Sequence, residues 1–235
     1  MNSKQFVSSI WFYVSILIML LLSSQDAVGQ IKQPEQVQMQ FHRAQTAWRN
    51  QTSILEAKVR VDQVLRDAPN HAEAWKLRAE VLIAMERYQD ALHDAQRATL
   101  LDPGDGEAFL ILAEAARLNQ NNELAISSLE KAATLSINAG ADFHIKLSRS
   151  AILLGESELN MAESFARVAL AKDPDYAEAY YQLARVFVLQ KRTEDAATTL
   201  VRGFQAELLD PAYIGFDSTL ATLRPHPKLK TYLER

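Results

Sequence analysis

The sequence predicts an all-α solenoid of about five stacked helix-turn-helix repeats, because alanines, aromatic residues and prolines recur with one period. Ala57, Ala91 and Ala125 are each 34 residues apart, and Ala162 and Ala196 repeat that step after one interval of 37 residues. A fixed period of this length indicates a repeat architecture, in which each unit buries its apolar face against the next.

The aromatic and proline series keep the same step and share the same insertion of about three residues. Their members are Phe41, Trp75, Phe109 and Tyr180 for the aromatic series, and Pro69, Pro103 and Pro174 for the proline series. Three residue classes with one common insertion indicate that one repeat is longer than the others.

Each repeat contains two predicted helices and a short turn. In the second repeat, Trp75, Ala79 and Leu82 follow the i, i+4, i+7 spacing of one helical face. A turn at residues 86–88 precedes a second helix with a similar spacing of small residues, at Ala91, Ala95 and Ala98. Small alanines let helix axes approach closely, and Pro103 ends the second helix because it lacks a backbone N–H.

This pattern resembles the tetratricopeptide repeat family over about residues 36–211. The second repeat carries the fullest match, at Trp75, Ala79, Tyr88, Ala91, Ala95, Ala98 and Pro103. The fourth repeat is irregular in its first helix, where either Phe143 or Leu147 is expected to lead. The resemblance implies the solenoid fold, while the function stays open because the family hosts many unrelated tasks.

The C-terminal segment, residues 212–235, departs from the repeat. It contains a string that resembles the closing segment of many repeat proteins of this kind, formed by Asp217, Leu220, Leu223, Arg224 and Pro227. We expect a capping helix there, because the last hairpin of a solenoid otherwise leaves an apolar face exposed.

Residues 1–29 are predicted to be a targeting segment, followed by a linker at residues 30–35. Lys4 precedes a strongly apolar run at residues 10–22, and small residues at Ala27 and Gly29 fit a signal-peptidase site. Cleavage there places the protein in the periplasm or the medium. Residues 5–25 are uncharged and long enough to span a bilayer, so retention as an inner-membrane anchor is the alternative.

Composition and motifs disfavour nucleic-acid binding, cofactor binding and catalysis. The formal net charge is −4 without a basic stripe, whereas nucleic acid needs clustered Lys and Arg to displace counterions. The chain has no Cys, and its five His residues lack metal-ligand spacing. Neither a glycine-rich phosphate loop nor a nucleophile elbow occurs in the sequence. We therefore expect no enzyme activity, no cofactor and no metal.

The family resemblance implies that the first helix of each repeat lines a concave groove. Residues one, five and eight positions after each aromatic are then expected to face inward. The candidate partner-binding residues are Lys76, Glu80, Leu110, Glu114, Arg117, Tyr181 and Arg185. We expect Tyr181 and Arg185 to be hot spots, because Tyr and Arg are enriched at such positions. A carboxylate-binding clamp is not expected, because Glu80 and Glu114 would repel a terminal carboxylate.

The predicted function is a non-catalytic protein–protein interaction scaffold outside the cytoplasm, which binds a peptide or partner protein in its groove. The alternative is a membrane-tethered accessory subunit of an envelope secretion, pilus or cytochrome-maturation assembly. The alternative requires residues 5–25 to remain attached and membrane-inserted.

Overall fold

The computed structural model describes residues 34–50 and 53–233, so the predicted signal or anchor at residues 1–29 lies outside the described residues. The described part contains helices, turns and no strand. Ten repeat helices form five hairpins: α1 (Pro34–Arg49), α2 (Ile54–Asp67), α3 (Ala72–Ala84), α4 (Tyr88–Leu101), α5 (Gly106–Leu118), α6 (Asn122–Leu135), α7 (Ala141–Leu154), α8 (Leu159–Lys172), α9 (Ala177–Leu189) and α10 (Thr193–Gln205). Within that part, no helix has both the length and the apolar character needed to cross a membrane.

The hairpins confirm the predicted all-α solenoid and account for its period. A first helix of 13 residues and a second helix of 14 residues, with short connections, make up the 34-residue step. The longer fourth repeat gains one residue in α7, one in the connection before it and one in the turn after it. Helix α1 begins at Pro34, inside the predicted linker, and proline is well suited to the first position of a helix.

The periodic alanines occupy one recurring buried position of the hairpins. The second helix of each hairpin has a completely buried alanine at its fourth position: Ala57, Ala91, Ala125, Ala162 and Ala196. A larger side chain at these positions would push the paired helices apart. The sequence period is thus the period of this buried position.

In two repeats, a hydrogen bond links the aromatic residue to the preceding proline. Trp75 Nε1 donates to the carbonyl oxygen of Pro69 at 2.7 Å, and Tyr180 Oη donates to that of Pro174 at 2.9 Å. These bonds tie the first helix of a repeat to the turn that precedes it. Phe109 lies six residues after Pro103 in the same register but has no polar group to make this bond.

The turns within three hairpins share one geometry, in which a residue other than glycine has a positive φ angle. Glu86, Gln120 and Lys191 adopt positive φ angles of 59°, 60° and 62°. In the first of these turns, Arg87 N donates to Leu82 O at 2.9 Å, and the other two turns make the equivalent bond. This is the Schellman arrangement, which satisfies carbonyl groups left open at the helix end.

The C-terminal segment covers the last hairpin with short helices. These are α11 (Tyr213–Phe216), α12 (Ser218–Ala221) and α13 (Lys230–Leu233), with a 3-10 turn at Pro227–Leu229. Its buried apolar residues pack with α9 and α10: Ile214, Leu220, Leu223 and Leu229. Asp217 begins α12 by accepting hydrogen bonds from the backbone N–H groups of Thr219 and Leu220. The cap is therefore a chain of short elements and not one helix.

Candidate functional site

The first helices of the five hairpins lie side by side and form one continuous surface. Each of α1, α3, α5 and α7 contacts the first helix of the following repeat. The predicted groove residues all lie on α3, α5 and α9 of this surface. We use the term groove for the solvent-facing side of these first helices.

A cleft of about 330 Å³ opens in the groove between α1, α3 and α5. Its walls combine aromatic, aliphatic and charged side chains: Phe41, Gln45, Trp48, Arg49, Glu73, Lys76, Leu77, Glu80 and Glu107. The structure therefore brings together two of the predicted site residues, Lys76 and Glu80. The volume of the cleft lies at the lower end of the range for small binding pockets, which suits one or two side chains of a partner.

Lys76 is held by carboxylates at the start of α5. Its Nζ lies 2.5 Å from Asp105 Oδ2 and 3.6 Å from Glu107 Oε2. Burial alone would lower the pKa of Lys76, but the hydrogen bond and charge of Asp105, together with Glu107 and Glu73, raise this pKa above its ordinary value. Lys76 is thus a firmly charged ammonium group that joins the second repeat to the third.

Glu73 and Glu80 both line the cleft and take part in none of the ion pairs among the described residues, but Glu80 is partly buried whereas Glu73 is exposed. Burial raises the pKa of Glu80, and the nearby charge of Glu107 adds to the shift. The Trp48 side chain and the charges of Lys76 and Lys146 oppose the shift without cancelling it. The charged form of Glu80 is therefore incompletely compensated.

The middle of the groove is formed by three predicted residues on α5. Leu110 is half-buried and packs against the core cluster that contains Phe143 and Leu147. Arg117 Nη2 lies 2.6 Å from Glu114 Oε1, and Arg117 Nε lies 3.2 Å from Glu114 Oε2. Two parallel contacts of this kind fix the guanidinium plane and neutralise the pair.

The expectation that Tyr181 is a contact residue for a partner is wrong. Tyr181 is only 7% exposed and belongs to the core cluster of the last hairpin and the cap. Its hydroxyl donates a hydrogen bond of 2.7 Å to the carbonyl oxygen of Asp210. The C-terminal segment folds against α9, so Tyr181 anchors the cap instead of facing a partner.

Arg185, the other expected hot spot, remains one-third exposed but faces the cap. Its Nε lies 3.0 Å from Asp217 Oδ2, without the geometry of a hydrogen bond. Its Nη1 donates to Gln182 Oε1 at 3.3 Å. Arg185 is therefore a groove residue whose charge is partly balanced by the residue that begins α12.

Replacing Tyr181 with Phe should lower the free energy of unfolding by about 1 kcal/mol, because the Asp210 carbonyl loses its donor inside the protein. Chemical denaturation of the full chain measures this loss. The neighbouring Tyr180→Phe variant is the matched control, because it removes a solvent-exposed hydrogen bond of a tyrosine hydroxyl. Its free energy of unfolding should fall by less than half as much. Equal losses in the two variants would show that Tyr181 does not anchor the cap.

Sequence reasoning missed the groove residues of the fourth repeat. Helix α7 places the small buried Ser148 where α3, α5 and α9 carry a small alanine, and this alignment puts Arg149 at the position of Glu80, Glu114 and Arg185. The preceding insertion obscured that alignment. Leu153 lies one turn later on the same side and is 58% exposed.

A recurring glutamate, two residues before the aromatic, was also missed. Glu107 lies near Lys76 of the preceding first helix, and Glu178 forms an ion pair with Arg149 of the preceding first helix. The sequence did carry a signal, because a glutamate lies two residues before the aromatic residue in three repeats, at Glu73, Glu107 and Glu178. Glu107 and Glu178 thus link consecutive repeats across the groove.

The histidines show structural contacts. His71 begins α3 by accepting a hydrogen bond from the backbone N–H of Ala74 at 3.2 Å. His144 is buried, with Nδ1 3.1 Å from the carbonyl oxygen of Gly140. Across residues 34–50 and 53–233, no three His, Asp or Glu side chains are grouped so that they could hold a metal ion.

Comparison with known families agrees with this architecture. Two matches to the tetratricopeptide repeat family cover residues 78–141 and 153–216, which together amount to more than half of the chain. The chain belongs to the tetratricopeptide repeat family. No curated protein matches the sequence significantly.

Solved structures of other tetratricopeptide repeat proteins share the fold at low sequence identity. PilW, a widely conserved type IV pilus biogenesis factor, has a TM-score of 0.62 and 18% identity, over 86% of this chain and 100% of its own. A thermophilic TPR protein from Thermus thermophilus has a TM-score of 0.59 and 18% identity, over 79% and 99% of the two chains. YrrB, a TPR protein with an unusual peptide-binding site, has a TM-score of 0.51 and 17% identity, over 83% and 90%. At these identities the similarity shows the fold alone.

The family and the fold support a protein-interaction scaffold. In this tetratricopeptide repeat protein, the groove offers a continuous surface of first helices with one cleft near its N-terminal end. The surface carries both charges and several half-buried apolar side chains, as recognition of a peptide or partner helix requires.

Proposed function

We propose that the protein is a non-catalytic scaffold that binds a peptide segment or a partner protein in its groove. The observation that carries this proposal is the cleft between α1, α3 and α5, where aromatic and charged side chains converge on a continuous helical surface. Half-buried Trp48 supplies contact area there, and tryptophan is prominent among residues that dominate binding energies.

The charges of the groove favour recognition over chemistry. Most of its ionisable groups are held in pairs that connect repeats or turns of one helix, such as Lys76 with Asp105 and Glu114 with Arg117. These pairs fix side-chain positions before a partner arrives, which lowers the ordering cost of binding. Positioned charges also select partners through complementary potentials.

We further propose that the scaffold acts outside the cytoplasm. This proposal rests on residues 1–29, whose charged, apolar and small-residue order is typical of a secretory signal. N-terminal sequencing of the exported protein should give Gln30 as the first residue. Recovery of the chain with Met1 in the membrane fraction would instead favour the membrane-tethered accessory subunit, anchored by residues 5–25.

The groove can be tested by reversing one of its ion pairs. The full chain serves as bait for affinity capture, and mass spectrometry identifies the partner. The double variant Glu114→Arg with Arg117→Glu keeps an ion pair on α5 but exchanges the two charges. We expect at least about a tenfold loss of affinity for the captured partner, because each exchanged charge then faces a partner surface that complemented the opposite charge. A tenfold loss corresponds to about 1.4 kcal/mol of binding free energy.

The matched control is the same exchange on α2, outside the groove. Glu56 and Arg60 form an exposed ion pair at 2.6 Å with i,i+4 spacing. The variant Glu56→Arg with Arg60→Glu should bind the partner with unchanged affinity. A loss in the α2 variant together with full binding in the α5 variant would place the partner on the second helices and contradict the proposed function.

A further inference from the structure

The cleft near the N-terminal end of the groove has more acidic than basic side chains on its walls. Three carboxylates line it, from Glu73, Glu80 and Glu107, against the two cations of Arg49 and Lys76. One of those cations is already engaged, because Lys76 Nζ lies 2.5 Å from Asp105, which is outside the lining. The cleft therefore keeps an excess of negative charge.

Glu80 is the carboxylate best placed to receive a cation. It has no ion-pair partner among the described residues, whereas Glu107, Glu114 and Glu178 each have one. Glu73 also lacks an ion pair there, but it is exposed to solvent, whereas Glu80 is partly buried beside Trp48. Burial raises the pKa of Glu80, which means that the protein leaves its charge incompletely balanced. A cation brought in by a partner would supply the missing balance.

The remaining walls suit the aliphatic stem of a long basic side chain. Phe41 and Leu77 are buried apolar residues at the cleft, and Trp48 packs partly buried beside the same core cluster. Lysine and arginine side chains bury their methylene groups on apolar surfaces while their charged ends seek polar partners. An indole ring also attracts a cation placed over its face.

We propose that this cleft binds a lysine or arginine side chain of the partner, with its stem on Trp48 and Leu77 and its charged end at Glu80. This inference rests on the proposed function, since it names the residue type that the groove recognises. It assigns Glu80 and Trp48 the role of a specificity pocket at one end of the groove. A partner segment without a basic residue at that point binds more weakly.

The opposite specificity, for an acidic group at Arg49 and Lys76, is less favoured by the geometry. Lys76 is held by Asp105 and Glu107, so an anion would have to compete with two carboxylates of the protein. The same anion would approach Glu80 and Glu73 and be repelled by them. The test below separates the two specificities.

The probe is a library of random dodecapeptides displayed on phage and selected against the full chain. Peptides that bind should be enriched in Lys or Arg at one position. For a synthetic peptide from this selection, Glu80→Gln should lower the affinity measured by calorimetry by about tenfold. The control Glu56→Gln removes a paired carboxylate on α2, outside the groove, and should change the affinity by less than about threefold.

A change in the peptide provides a second measurement that leaves the protein intact. Replacing the enriched lysine with norleucine keeps the stem and removes the charge, and should also weaken binding to the natural chain by about tenfold. The norleucine peptide should then bind the natural chain and the Glu80→Gln variant equally. That equality would show that Glu80 acts on the lysine charge and not through the fold.

The contrary outcomes are distinct. Enrichment of Asp or Glu, or binding that is indifferent to both Glu80→Gln and norleucine, would overturn the specificity pocket while leaving the groove as a binding surface. Binding that is also unaffected by exchanging the charges of Glu114 and Arg117 would overturn the proposed function together with the pocket.

Discussion

Replacing Arg78 with Ala should destabilise the protein by about 2–4 kcal/mol, because it removes the guanidinium group that pairs with a buried carboxylate. Arg78 Nε lies 2.6 Å from Asp94 Oδ2, and Nη2 lies 3.0 Å from Asp94 Oδ1. Asp94 is only 2% exposed. The same guanidinium lies 3.2 Å from Asp62 and 4.5 Å from the centre of the Trp75 ring. One side chain thus joins α2, α3 and α4.

Chemical denaturation of the full chain measures this effect, and a double-mutant cycle with Asp94→Ala tests its cause. The double variant should lose clearly less stability than the sum of the two single variants, because the stranded charge is then removed as well. The control Arg60→Ala breaks an exposed ion pair with Glu56 and should cost less than about 1 kcal/mol. A cost for Arg78→Ala as small as that of Arg60→Ala would show that the buried pair contributes little.

Replacing Ala91 with Leu should cost about 2–3 kcal/mol, because the added atoms have no space at a close helix crossing. Ala91 and Ala95 are completely buried and pack in one cluster with Ala79, Leu82 and Leu112. The helices of the second hairpin can accept a larger side chain only by moving apart, which also opens the contact with the third hairpin. Ala95→Leu should have a similar effect.

A thermal melt of the full chain measures the change, at about 2–4 °C for each kcal/mol in a chain of this size. Ala84→Leu is the matched control, since Ala84 is exposed at the end of α3 in the same hairpin. Its melting temperature should stay close to that of the natural chain. Unchanged melting of both Ala91→Leu and Ala95→Leu would mean that the alanine period does not mark the helix crossings.

The fold was predictable because it follows from local patterns repeated along the chain. The alanines at 34-residue steps occupy the same buried position in every second helix, and Pro69 and Pro174 stand where the aromatic residue of the next helix needs a carbonyl acceptor. The chain therefore specifies helix lengths, turns and crossings several times over. Even the longer fourth repeat was visible as one interval of 37 residues.

The groove was less predictable because its details depend on contacts between distant segments. Tyr181 occupies a predicted groove position, but the cap places the Asp210 carbonyl over its hydroxyl. The buried Arg78–Asp94 pair joins residues 16 positions apart, a spacing unrelated to the repeat period. Trp48 lies at the end of α1, and the juxtaposition of α1, α3 and α5 places it at the cleft.

Hydroxyl-radical footprinting of the full chain, with and without its captured partner, most directly tests whether the groove is the binding surface. Two exposed leucines on the second helices, Leu55 and Leu100, are 63% and 72% exposed, and Leu153 on the first helix α7 is 58% exposed. A partner in the groove should reduce the oxidation of Trp48 and Leu153 and leave Leu55 and Leu100 unchanged. Protection of Leu55 and Leu100, with Trp48 and Leu153 still fully reactive, would contradict a binding surface on the first helices.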